Sequence, residues 1–200
     1  MVRTVRYRVE QFLQALPAGV PEAEVEQAMH ILPPKARGLF RRQAIQDQRH
    51  ALAVYHTLRQ AGHKNPQLLA AALLHDAGKA AARLPAWQRA VIVLLDRFTP
   101  RLLARLSQGA PQGCVLSLPK GCALSLPKGC ALSLPKGWRR PFVTHARHPQ
   151  AGARWAEEAG CSPLTVALIR RHQDQLIGCS PLTSEEDRLL AALRAADNLN

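Results

Sequence analysis

Apolar residues recur at steps of three and four along most of the chain, the spacing of one helical face. In residues 5–16 they are Val5, Val9, Phe12, Leu13 and Leu16, and Pro17, Gly19 and Pro21 end the run. A second helix is expected over 22–31, with Glu22, Glu24 and Glu26 toward its positive end and Pro33-Pro34 closing it. The next pattern predicts one long helix over 35–61 that buries Ile45, Leu52, Tyr55 and Leu58 and stops at Gly62. Asn65-Pro66 then opens a helix over 67–76 whose Leu-Ala surface is apolar nearly all round, which places it at the centre of the fold. Residues 87–106 read as a single amphipathic helix, since the strand-like run Val91-Ile92-Val93 lacks flanking turn signals. Order resumes near 138–143, and a helix over 144–160 packs through Ala151 and Trp155 and closes at Gly160. Ser162-Pro163 caps another, containing Leu164, Val166, Ala167, Leu168 and Ile169. Thr183 or Ser184, with Glu186 or Asp187 three residues on, resembles a capping box for a last helix through Leu189, Leu190 and Leu193 to Asp197.

These elements and a composition rich in Ala and Leu but poor in β-branched residues predict an all-α fold. A chain of 200 residues, 47% of them hydrophobic, is enough for one compact unit. Residues 1–43 are expected to form a helical extension packed on a main domain over 44–200. That domain is interrupted by a tandem octapeptide: Gly113-Cys114-Val115-Leu116-Ser117-Leu118-Pro119-Lys120 is followed by near-identical copies over 121–128 and 129–136. Pro and Gly in every copy rule out a continuous helix, and structural zinc ligands come in closer pairs than Cys114, Cys122 and Cys130. A disordered, flexible insertion over about 108–137 is therefore expected. The count of five cysteines is odd, which points to free thiols rather than a disulfide framework.

The chain carries 27 Lys and Arg against 14 Asp and Glu, a net charge of +13, so polyanions should be attracted. A phosphate-bearing substrate or a nucleic acid fits that field. No signal peptide follows Arg3 and Arg6, and the longest apolar runs are too short to cross a bilayer, so a soluble cytoplasmic protein without a membrane partner is expected.

Candidate chemistry begins at Leu73-Leu74-His75-Asp76-Ala77-Gly78-Lys79. Imidazole and carboxylate are ligands that borderline divalent metals accept, and a carboxylate can bridge two ions. Two adjacent donors do not complete a site, and the ordered candidates for the rest are His50, His148 with His145 nearby, His172 and Asp197. Gly78 lets the backbone turn, and Lys79 would project into the space the ligands face.

The motifs Arg49-His50-Ala51-Leu52, the His75-Asp76 segment, His148-Pro149-Gln150-Ala151-Gly152-Ala153, Arg170-Arg171-His172-Gln173-Asp174 and Arg194-Ala195-Ala196-Asp197-Asn198-Leu199-Asn200 together resemble the HD-domain superfamily of metal-dependent phosphohydrolases. The resemblance covers roughly 44–200 and is closest to small stand-alone members. It implies an HD-domain helical bundle in which His50, His75, Asp76 and Asp197 hold one metal. Asp76 would bridge to a second ion held by His148 and His172, with help from His145. His56 competes with His50 for the first position but lacks the matching neighbours, and His30 and His63 are bystanders. The implied activity is hydrolysis of a nucleotide or related phosphoester by metal-activated water, with Asp76 and Lys79 catalytic and Lys79 and Arg171 on the substrate phosphate. One or two divalent transition-metal ions are implied, iron or manganese first, with zinc, nickel, cobalt or magnesium as alternatives. The cyclic-dinucleotide branch is disfavoured because Arg171 stands where its first paired histidine would be and no Gly-Tyr-Pro follows. The competing expectation is a catalytically weak or inactive HD scaffold that binds nucleotide or RNA.

Overall fold

The computed structural model describes residues 20–81, 88, 91–92, 94–95, 98–107, 140–174 and 184–200. The expected helix over 5–16 and the octapeptide insertion lie outside these residues. Among the described residues the regular elements are helices and there is no strand. The order is α1 Glu22–Met29, α2 Pro34–Arg42, α3 Ile45–Gln60, α4 Pro66–Leu74, a 3-10 turn Ala77–Ala81, α5 Pro100–Ser107, α6 Arg140–Glu158, α7 Pro163–Arg171 and α8 Glu185–Leu199. No helix is long and apolar enough to cross a membrane, among the described residues.

Local chemistry sets the ends of these helices. Asn65 Oδ1 accepts from the backbone of Gln67 and Leu68 with Pro66 in the first turn, and Ser162 Oγ accepts from Thr165 ahead of α7. Ser184 caps α8 by accepting from the Asp187 N–H. Gly62 and Gly160 take left-handed φ of 87° and 83°, and each stop is a Schellman turn in which two N–H groups satisfy the last carbonyls of α3 and α6.

The core gathers on α4, whose residues Leu68 to Leu74 are all buried, against α3, α7 and α8. Val25, Met29, Leu39 and Phe40 of α1 and α2 belong to the same apolar cluster as Leu58, Leu73, Trp155, Ile169 and Leu190. Arg41 ties the two N-terminal helices together through Glu22 and Glu26. A smaller cluster of Ile92, Leu103 and Phe142 seats α5 on α6. Losing a large side chain such as Leu73 from the main cluster would cost about 2–5 kcal/mol, a large part of a domain's net stability.

Three expected helices differ from what forms. The helix over 35–61 is two, because Gln43 and Ala44 adopt extended ψ of 149° and 152°. The bonds lost there are replaced by Gln43 Nε2 donating to Leu73 O at 2.8 Å and Gln48 Nε2 donating to Gln43 O at 2.9 Å. No local signal marks that break, since its stabilising partner is thirty residues away. The helix over 87–106 is interrupted at Thr99, whose carbonyl starts α5, because Pro100 has no N–H and is suited to a first helical position. The helix over 144–160 begins at Arg140 and runs through Pro149.

Candidate metal centre

Five helices and the 3-10 turn converge on one polar cluster. His75 ends α4 and Asp76 leads into the 3-10 turn, His148 lies mid-α6, and His172 ends α7. All four side chains are buried. His50 of α3 and Asp197 of α8 flank them at the rim, with side chains 26% and 30% exposed. The cluster is thus closed on the α6 and α7 side and open on the α3 and α8 side. Asn200 Nδ2 donates to Thr57 Oγ1 at 3.0 Å, which pins the last turn of α8 on α3.

Two compact sets of donors share Asp76. One is His50, His75 and Asp76; the other is Asp76, His148 and His172. His50 Nε2 is 2.8 Å from Asp197 Oδ1, and His75 Nε2 is 3.5 Å from both Asp197 Oδ1 and Asp76 Oδ2. On the other side, Asp76 Oδ1 is 3.2 Å from His148 Nε2 and 3.9 Å from His172 Nε2, and the two Nε2 atoms are 3.2 Å apart.

These residues fit a metal ion on physical grounds. Donors that share an ion at about 2.0–2.2 Å stand about 3.0–3.5 Å from one another, and the spacings here run from 2.8 to 3.9 Å around that range. Each buried histidine donates Nδ1–H to the carbonyl three residues back: His75 to Ala72, His148 to His145 and His172 to Ile169. A carbonyl can only accept, so in the neutral ring every Nε2 is a lone pair aimed into the cluster. Lone pairs of His148 and His172 facing each other repel unless a cation lies between them. His75 Nε2 is buried with no hydrogen-bond partner, which costs about 1–3 kcal/mol when nothing satisfies it. These buried His and Asp groups can therefore hold a metal ion.

The electrostatics agree for His172, Asp76 and Asp197, whereas the two carboxylates beside His75 favour its protonated ring when no ion is bound. Burial, together with His75 and His148 beside it, pushes His172 down to about 3, so it is neutral and ready to ligate. Burial would raise the Asp76 carboxyl, but His75, Lys79 and His148 outweigh it and hold it well below the usual carboxylate range. Asp197 is lowered in the same way by His50 and His75 against its burial. For His75 burial acts downward, and Asp76 and Asp197 overcome it to raise the imidazole.

The remaining candidate residues lie at the edge of the cluster or away from it. The His145 ring lies beside His148 with 5.8 Å between centroids, but neither compact set of donors includes it; its contribution is a backbone carbonyl. Lys79 Nζ is 2.5 Å from Asp76 Oδ2 and its side chain is 33% exposed, so it sits at the open rim. Arg171 was expected at the substrate phosphate, yet its guanidinium is committed to carboxylates: Nη1 donates to Glu186 at 2.5 Å, Nη2 to Asp187 at 3.0 Å, and Nε is 3.5 Å from Asp174. Those partners hold its charge, and it joins the end of α7 to the start of α8. His56, the competitor of His50, pairs with Glu24 at 2.7 Å and is absent from both sets.

Gly78 lies in the 3-10 turn without a positive φ, and its lack of a side chain has a second use. A Cβ there would lie 2.0 Å from His148 O and 2.8 Å from Gly152 N. The glycine lets the turn carrying Asp76 lie directly on the backbone of α6. Its counterpart, Gly152, was legible only as part of the His148–Ala153 motif, and the close approach it permits is a property of the fold.

Cys161 is a free thiol outside the cluster, and burial pushes it up to about 11. A raised value means less thiolate at a given pH, so at pH 8 its alkylation by iodoacetamide should be about a hundredfold slower than that of a cysteine in an open peptide. Peptide mass mapping over a time course checks this; equal rates would refute the burial argument.

No family model, curated protein or solved structure matches the chain.

Proposed function

We propose that the protein is a metal-dependent phosphohydrolase acting on a nucleotide or related phosphoester. The observation that carries this reading is the division of Asp76: one carboxylate oxygen faces His148 and His172, the other faces His75 and Lys79. A carboxylate shared in this way suits a pair of divalent ions. Bound there, such ions would make hydroxide available near neutral pH and clamp phosphoryl oxygens during in-line displacement. The donors are imidazoles and carboxylates with no thiolate, a set that suits iron or manganese and also accommodates zinc, nickel or cobalt.

The chain's own residues define the rest. His75, Asp76, His148 and His172 exclude water from the floor of the site. Substrate approaches from the open rim, between His50, Asp197 and Lys79. There the ammonium of Lys79 is the cation available to a phosphoryl oxygen, once it exchanges Asp76 for substrate. The net charge of +13 favours an anionic substrate.

Elemental analysis of protein purified without chelators, together with hydrolysis of bis(p-nitrophenyl) phosphate and of nucleotides under the metal found, tests the proposal. About two transition-metal ions per chain and metal-dependent turnover are expected. No uptake, even after reconstitution with iron or manganese, would sink it. Salt-sensitive nucleotide or RNA binding, expected of a basic scaffold, would then be the property to measure.

A further inference from the structure

The geometry points to Pro149 as the positioning residue for the second set of donors, acting through the carbonyl of His145. In an uninterrupted helix that carbonyl accepts the N–H of residue 149. Residue 149 is a proline inside α6 and has no N–H to give. The His145 carbonyl takes the Nδ1–H of His148 instead, at 2.6 Å.

His75 and His172 reveal what this exchange achieves. They direct Nδ1–H to Ala72 and Ile169 at 2.9 and 2.7 Å. Both carbonyls lie in the last turns of helices that stop at Leu74 and Arg171, where intrahelical partners run out. His148 stands in the interior of a 19-residue helix, where every carbonyl is normally occupied. Proline frees one of them. A mid-helix histidine thereby gains the same backbone anchor as two helix-end histidines, and its Nε2 is held as a lone pair toward Asp76 and His172. The anchor is a property of the chain alone; only its effect on a second ion rests on the two-ion reading.

In Pro149→Ala the new N–H competes for the His145 carbonyl. Sharing the carbonyl weakens the anchor of the His148 ring, which then partly populates the form protonated on Nε2, which cannot ligate. Interior proline also opposes helix formation, so the same substitution should raise the melting temperature. Stability and metal affinity are therefore expected to move in opposite directions, which a merely structural role for Pro149 would not produce.

The test compares wild type with Pro149→Ala in two ways: imidazole nitrogen NMR of the metal-free proteins and titration with manganese(II) alone. Wild type should show His148 in the single Nδ1–H form, and the variant a mixture of both forms. The variant should bind the second manganese about 10- to 100-fold more weakly, with the first ion unchanged. A variant that keeps His148 wholly in the Nδ1–H form and binds both ions as wild type does would overturn the inference. If wild type takes up a single ion while the NMR spectra change as expected, the role of Pro149 stands and the two-ion reading fails on its own.

Discussion

Asp76→Asn is expected to abolish metal uptake by both sets of donors and to leave the helices in place. Asn keeps the shape of the side chain but removes the charge, and it offers one carbonyl oxygen where Asp76 offers two, one to each set of histidines. Neither set of imidazoles can neutralise an ion alone. Phosphoester turnover should therefore fall about a thousandfold or more, the scale seen when a charge-stabilising group is lost from an active site. Folding should survive. Breaking a fully buried ion pair costs about 3–5 kcal/mol, but Lys79 is 33% exposed and can turn to solvent, so the penalty here should be smaller. His148→Gln provides the contrast, because it removes a donor from the second set only and should leave one ion of two. Elemental analysis and circular dichroism of both variants decide the matter. A folded Asp76→Asn protein with its full metal content would mean that Asp76 is not the shared ligand.

Gly78→Ala should be the most damaging glycine-to-alanine change among the described residues. The added methyl would meet His148 O at 2.0 Å and Gly152 N at 2.8 Å, both backbone atoms of a packed helix that cannot swing aside. Relief requires the 3-10 turn to lift from α6, and that movement carries Asp76 away from His148. Overpacking of this kind costs about 3 kcal/mol or more. The gain from replacing glycine by alanine in a helical segment is at most about 1 kcal/mol and does not offset it. Gly152→Ala is the control: its Cβ would meet Gly78 N at 3.1 Å and Ile169 Cγ2 at 3.4 Å, a strain small enough for the helix-propensity gain to balance. Urea unfolding should therefore separate the two alanine variants by about 2 kcal/mol or more. Near-equal stabilities, with both ions retained, would show that the turn and α6 are not in backbone contact.

The helices were legible because their signals are local. Acidic residues at the start of α1 and the nearly continuous apolar run of α4 mark those helices, and Asn65-Pro66, Ser162-Pro163, Gly62 and Gly160 act within one turn of themselves. The donor residues were also legible as types in order, since His75-Asp76 and the histidines at 50, 148 and 172 can be read off the chain and all four regions meet in one cluster. The break at Gln43 was hidden because Leu73 O, which holds it, is remote in sequence.

By itself, then, the sequence determined an all-helical chain and the donor chemistry at His50, His75, Asp76, His148, His172 and Asp197, because propensity, capping and ligand type belong to single residues or single turns. Tertiary structure decided the grouping. His56 faces Glu24 and not the cluster, Arg171 faces Glu186 and Asp187, and His145 contributes a carbonyl. Helical phase states where a side chain points about its own axis. Which partner stands opposite depends on how the elements pack, as where Gly78 and Gly152 allow the 3-10 turn to rest on the backbone of α6.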